Sequence, residues 1–70
     1  MKELAKKLRE YGVSMAFDYG VVTFTKDGFG GLYALDDTVI EKSTTSEMQN
    51  ILINLLETFM YNHRVRREPF

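Results

Sequence analysis

The sequence predicts a single small α+β domain in the order α-β-β-β-(β)-α. A three- or four-stranded antiparallel meander packs on a long C-terminal helix, with a short helix at the N-terminus. Three observations carry this reading. Residues 2–11 place apolar side chains at helical spacing. Two separate turn dipeptides, Tyr19-Gly20 and Asp27-Gly28, assign the same residues to one face of a sheet. Residues 45–64 form a broad apolar helix opened by a capping signal. The chain has 70 residues, and one domain spanning 1–70 fits that length.

The first helix covers 2–11. Leu4, Ala5, Leu8 and Tyr11 share one stripe of a 3.6-residue repeat, and Lys2, Glu3, Lys6, Lys7, Arg9 and Glu10 fill the remaining face. Gly12 follows where a helix favours a left-handed cap. Residues 13–18 then alternate, with Val13, Met15 and Phe17 on one side and Ser14, Ala16 and Asp18 on the other. Val21–Lys26 is rich in β-formers, Asp27-Gly28 is a strong hairpin signal, and Phe29–Leu35 returns.

Register tests the strand assignments against one another. Two-residue turns at both dipeptides set Phe17 opposite Val22, Met15 opposite Phe24, Phe24 opposite Gly31 and Val22 opposite Tyr33. One face then holds Val13, Met15, Phe17, Val22, Phe24, Tyr33 and Leu35. The other is mixed, with Ser14, Ala16, Asp18, Val21, Thr23, Thr25, Leu32 and Ala34. Phe24 in this register would cover the backbone that Gly31 leaves bare. Asp36-Asp37 interrupts the pattern, and residues 38–42 fit either a short fourth strand or an extended link.

Thr44-Thr45-Ser46-Glu47 is a capping box, with Thr44 as cap and Glu47 reaching back. The helix that follows carries Met48, Ile51, Leu52, Leu55 and Phe59 as a main stripe and Ile53, Leu56 and Met60 as a second. Together they span roughly 200° of the circumference. A small sheet covers less than that. The second stripe therefore needs the first helix, a target or a second copy against it, and Ile53, Leu56 and Met60 are the expected seam of a homodimer. The tail over 65–70 is expected to be frayed or bound to a partner.

Charge is nearly balanced, at a net −1, but unevenly distributed. Lys2, Lys6, Lys7 and Arg9 make the first ten residues basic, and Arg64, Arg66 and Arg67 do the same for the last ten. The middle is acidic, with Asp18, Asp27, Asp36, Asp37 and Glu41 as the candidates for one acidic interaction surface. Catalysis has few instruments here. The chain has no Cys and one His, and no serine has a base arrangement to activate it. His63, in the last turn of the long helix, is expected to be a partner of the helix dipole or a solvated residue. Asp18, Asp36, Asp37 and Glu41 lack the spacing of a calcium loop, and Gly28, Gly30 and Gly31 match no phosphate-binding motif. No catalytic residue, metal or cofactor is expected. The N-terminus lacks the basic and apolar regions of a secretory signal, and no apolar run approaches the ~20 residues of a membrane-spanning helix. The absence of Cys fits a reducing compartment, so a cytoplasmic protein is expected.

The order helix, three strands, helix at this length resembles the double-stranded RNA-binding domain. That resemblance implies phosphate contacts from basic residues at the start of the last helix. The matching stretch here, Thr44-Thr45-Ser46-Glu47-Met48, has no Lys or Arg and carries an acid. Nucleic-acid binding is thus the alternative reading, through Lys2, Lys6, Lys7, Arg9, Arg64, Arg66 and Arg67, and it requires the two ends to meet in space. Small acidic αβββα proteins also resemble phage- or mobile-element-encoded inhibitors, some of which imitate nucleic acid with carboxylates. The leading expectation is a small non-enzymatic protein-interaction module. It would act by occlusion through its acidic surface and as a homodimer, with no membrane partner.

Overall fold

The computed structural model describes residues 2–67; the side chains of Arg66 and Arg67, and residues 68–70, lie outside the described part. Its elements are α1 (Lys2–Tyr11), β1 (Ser14–Asp18), β2 (Val21–Lys26), β3 (Phe29–Ala34), α2 (Asp37–Lys42) and α3 (Thr45–Arg67). The strands form one antiparallel sheet in the order β1-β2-β3, and α3 packs against its inner face.

Both turns have the backbone their sequences demand. Tyr19 and Gly20 take φ of +49° and +74°, and Asp27 and Gly28 take +51° and +78°, the paired positive angles of a type I′ hairpin. The register follows: Met15 faces Phe24, Phe17 faces Val22, Val22 faces Tyr33 and Phe24 faces Gly31. The inner face supplies Val13, Val22 and Phe24 to the core, where they meet Leu4 of α1 and Leu52, Leu56 and Phe59 of α3. Gly31 admits the ring of Phe59, since a Cβ there would lie 2.8 Å from Phe59 Cδ1. Phe24 was the expected cover of this bare backbone; the rings that lie nearest it are those of Phe59 and Tyr33.

Residues 38–42 form no fourth strand. They belong to α2, because Asp36 caps it: its carboxylate accepts from the Thr38 N–H at 2.8 Å, and Asp37 and Lys42 sit at the dipole ends they favour. The capping box of α3 is formed as its sequence predicts, Glu47 N–H donating to Thr44 Oγ1 at 3.1 Å and Thr44 N–H to Glu47 Oε1 at 3.2 Å. The helix runs on through Arg67, so residues 65–67 of the expected frayed tail are helical; the rest of that tail lies outside the described residues.

The core stripe of α3 is Leu52, Leu56, Phe59 and His63, at i, i+4, i+7 and i+11. It runs between the two stripes read from the sequence. Helix α1 lies alongside α3 in the same direction. Gln49 Oε1 accepts from the N–H groups of Glu3 and Leu4, and Tyr11 Oη donates to Glu57 Oε1 at 2.6 Å. A side chain of α3 therefore caps the start of α1. At the other end Lys26 Nζ donates to the Tyr11 carbonyl at 2.6 Å, below the cap that Gly12 forms at φ +67°.

Candidate interaction surface

Four of the five candidate acidic residues lie at one end of the sheet, and one does not. Asp18 ends β1, and β3 finishes at the same end of the sheet because Val21 pairs with both Asp18 and Ala34. The chain passes directly into Asp36, Asp37 and Glu41 of α2. Two contacts fix α2 beside the β1–β2 turn: Leu35 N–H donates to the Gly20 carbonyl at 2.8 Å, and Gly20 packs against Ile40. Asp18, Asp36, Asp37 and Glu41 are all exposed, and among the described residues none of them forms an ion pair. The hydrogen bonds from Thr38 hold the Asp36 carboxyl below the ordinary carboxylate range.

Asp27 belongs to the opposite end. The six residues of β2 separate it from Asp18, about 17–20 Å at strand rise. Its carboxylate lies 3.8 Å from His63 Nε2. His63 is not the solvated residue its place near the helix end implied. It is 6% exposed, its ring stands edge-on to Phe29 at 5.6 Å, and its Nε2 has no hydrogen-bond partner. The helix outlasts the apolar pattern, so i+4 from Phe59 falls inside.

The expected dimer seam also changes. Leu56 is fully buried in the core of one chain and cannot contribute to a surface seam, while Ile53 and Met60 are half-buried and packed against that core. Arg64 does not join the cations of α1, and the side chains of Arg66 and Arg67 lie outside the described residues. Glu3 and Leu4 lie level with Gln49, and Tyr11 with Glu57. Arg64, seven residues beyond Glu57 on the same helix, stands roughly 10 Å past the end of α1 at 1.5 Å per residue. Lys7 is engaged with Glu57 at 3.4 Å, and Lys2, Lys6 and Arg9 are exposed along α1.

Two open features were not read from the sequence. A cleft of about 350 Å³ is lined by Met15 and Phe17 of β1, Ile40 of α2, and Met48 and Leu52 of α3. Phe17, on the inner face but at the free sheet edge, is 41% exposed beside it. A groove of about 370 Å³ runs along β3 between Phe29–Tyr33 and Asn62 and Val65 of α3. The outer face of the sheet is open, and Leu32 stands on it 72% exposed. Ile40 was invisible because α2 was not assigned. The signal for Phe17 was its place on a strand with one neighbour. No group of three metal-ligating side chains occurs among the described residues, and no helix there is long and apolar enough to cross a membrane. Compared with known proteins, the sequence matches no family model, no curated protein and no solved structure.

Proposed function

We propose that this protein is a small non-enzymatic interaction module that binds a basic protein surface through its acid-bearing end and works as a homodimer. The observation that carries the reading is the placement of Asp18, Asp36, Asp37 and Glu41 at one end of the sheet, all exposed and none ion-paired among the described residues, on a strand end and a short helix tied to the same turn. Side chains held on a fixed frame lose less freedom on binding, and unscreened carboxylates steer a basic partner. Such a surface suits an inhibitor that occludes a cationic site. The separation of α1 from Arg64 weighs against the nucleic-acid alternative, which needs several cations on one face.

The test is capture from the source lysate across a salt series, with and without nuclease, using the wild type and Asp36→Asn/Asp37→Asn. Asn keeps the cap of α2, so the fold is preserved. A protein that survives nuclease, binds more weakly as salt rises and binds the variant several-fold more weakly supports the reading. Capture that disappears with nuclease overturns it. So does a partner whose affinity and salt dependence are the same for both proteins.

A further inference from the structure

We propose that the second copy docks on the free edge of β1, so that two three-stranded sheets join into one six-stranded antiparallel sheet. This rests on the reading of the chain as a homodimer and moves its seam from α3 to β1.

The backbone of β1 is already arranged for this pairing. The two-residue turn makes Asp18–Val21, Ala16–Thr23 and Ser14–Thr25 the hydrogen-bonded pairs of the β1–β2 ladder. The N–H and C=O groups of Met15 and Phe17 therefore point away from β2, along an edge with no Lys, no Pro and no third strand. An antiparallel copy with its two-fold axis at Ala16 pairs Met15 with the partner's Phe17, and Phe17 with the partner's Met15. This is the reciprocal pattern a two-fold interface requires. Both side chains lie on the inner face, where the cleft opens. Each exposed Phe17 ring then covers the Met15 side of the partner's cleft.

The charges fit the same register. Ser14 falls opposite the partner's Asp18 on the outer face, a hydroxyl donor against a carboxylate. The two Asp18 residues are displaced by four positions, about 14 Å along the strands, which exceeds the screening length of about 8 Å at physiological salt. The β3 edge is a poorer match. Its outward backbone belongs to Gly30, Leu32 and Ala34, and glycine resists an extended strand. A copy there would also bring together two α3 ends, each carrying an exposed Arg64. The β1 seam is a strip about 17 Å long and 10 Å deep, well below the ~800 Å² per partner of a standard interface. The dimer is accordingly weak and displays its two acidic ends on opposite sides of the axis.

The chain has no cysteine, so disulfide trapping reads the seam directly. Ala16 is exposed on the axis, in a non-hydrogen-bonded pair whose Cα atoms lie about 4.5 Å apart, within disulfide range. Full-length Ala16→Cys is expected to form a covalent dimer under mild oxidation at least tenfold faster than Leu32→Cys, which reports on the β3 edge. Adding Phe17→Lys to Ala16→Cys should abolish that advantage, with circular dichroism confirming the fold. Sedimentation velocity of the wild type should show reversible dimerisation with concentration. Trapping no faster at Ala16 than at Leu32 overturns the seam. So does a wild type that stays monomeric at one millimolar, or a dimer lost instead in Ile53→Lys/Met60→Lys. Asp36→Asn/Asp37→Asn should leave trapping unchanged, so failure of the acidic surface and failure of the β1 seam are distinguishable.

Discussion

The two ends of the α3–sheet interface differ in what they do with the same helix. At the Asp27-Gly28 end, α3 presents rings. Phe59 lies 5.6 Å from both Phe24 and Phe29, His63 stands against Phe29, and Gly31 removes the one side chain that would hold Phe59 off the sheet. At the Tyr19-Gly20 end, α3 presents Met48 and Leu52, Phe17 is left half in solvent, and an apolar cleft remains. Rings with large buried area make one end the source of stability. Flexible apolar side chains beside an open strand edge make the other available for contact. Two regions about 20 Å apart on a single helix are thus packed in different ways.

Breaking the aromatic end should have the largest effect. Phe59→Ala deletes a fully buried ring, and the loss expected is about 3–5 kcal/mol, as much as a domain of this size has in reserve. Urea denaturation at low micromolar concentration should find it mostly unfolded. Phe17→Ser removes the same side-chain type from the other end, yet it is expected to cost about 1 kcal/mol or less, since much of the ring is already in water. Equal losses would show that the two ends are not divided in this way.

Gly31→Ala sharpens the comparison at intermediate scale. The new methyl would meet Phe59 Cδ1 at 2.8 Å, and overpacking of this kind costs roughly 1–3 kcal/mol. In the Phe59→Leu background the same substitution should cost much less, because the opposing ring edge is gone. A double-mutant cycle in urea measures that coupling. Additive losses would mean that Gly31 is there for its backbone and not for the ring.

How much of this was legible follows from where each signal originates. Strand register was legible because it is local: two turn dipeptides with their own φ requirements fixed every cross-strand pair. The capping box of α3 was legible for the same reason. The faces of α3 were not, because a wide apolar arc does not say where its centre lies. Leu56 was read as surface and is core, and His63 was read as solvated and is buried, since the true stripe runs through both. The cap from Gln49 to α1 joins residues 45 apart, and no local pattern announces it. The acidic surface was legible in composition but not in membership. Asp27 shares its charge with Asp18, but a strand's length separates them.

The smallest expected effect lies midway between the two ends, in the clasp of α1 on α3, and it is read through pH. The Tyr11 hydroxyl, 2.6 Å from Glu57 Oε1, holds the Glu57 carboxyl below its ordinary range, and Lys7 adds to this. The same hydrogen bond pushes the Tyr11 phenol up, and contact with Tyr11 and Glu57 raises Lys7. A carboxyl lowered on folding contributes stability above its unfolded value, near 4.3, and loses it as pH falls through the lowered folded value. A phenol or ammonium raised on folding contributes below its unfolded value, near 10, and loses it as pH rises through the raised one. The clasp is therefore complete from about pH 5 to 9 and weakens on both sides. Thermal melts of the wild type and Tyr11→Phe should differ by a constant amount across that plateau, with the variant the less stable. The difference should shrink as pH falls through the lowered folded value, below which Glu57 is neutral in both folded and unfolded chains. A difference that persists undiminished in acid would show that the hydroxyl acts on some group other than the Glu57 carboxylate.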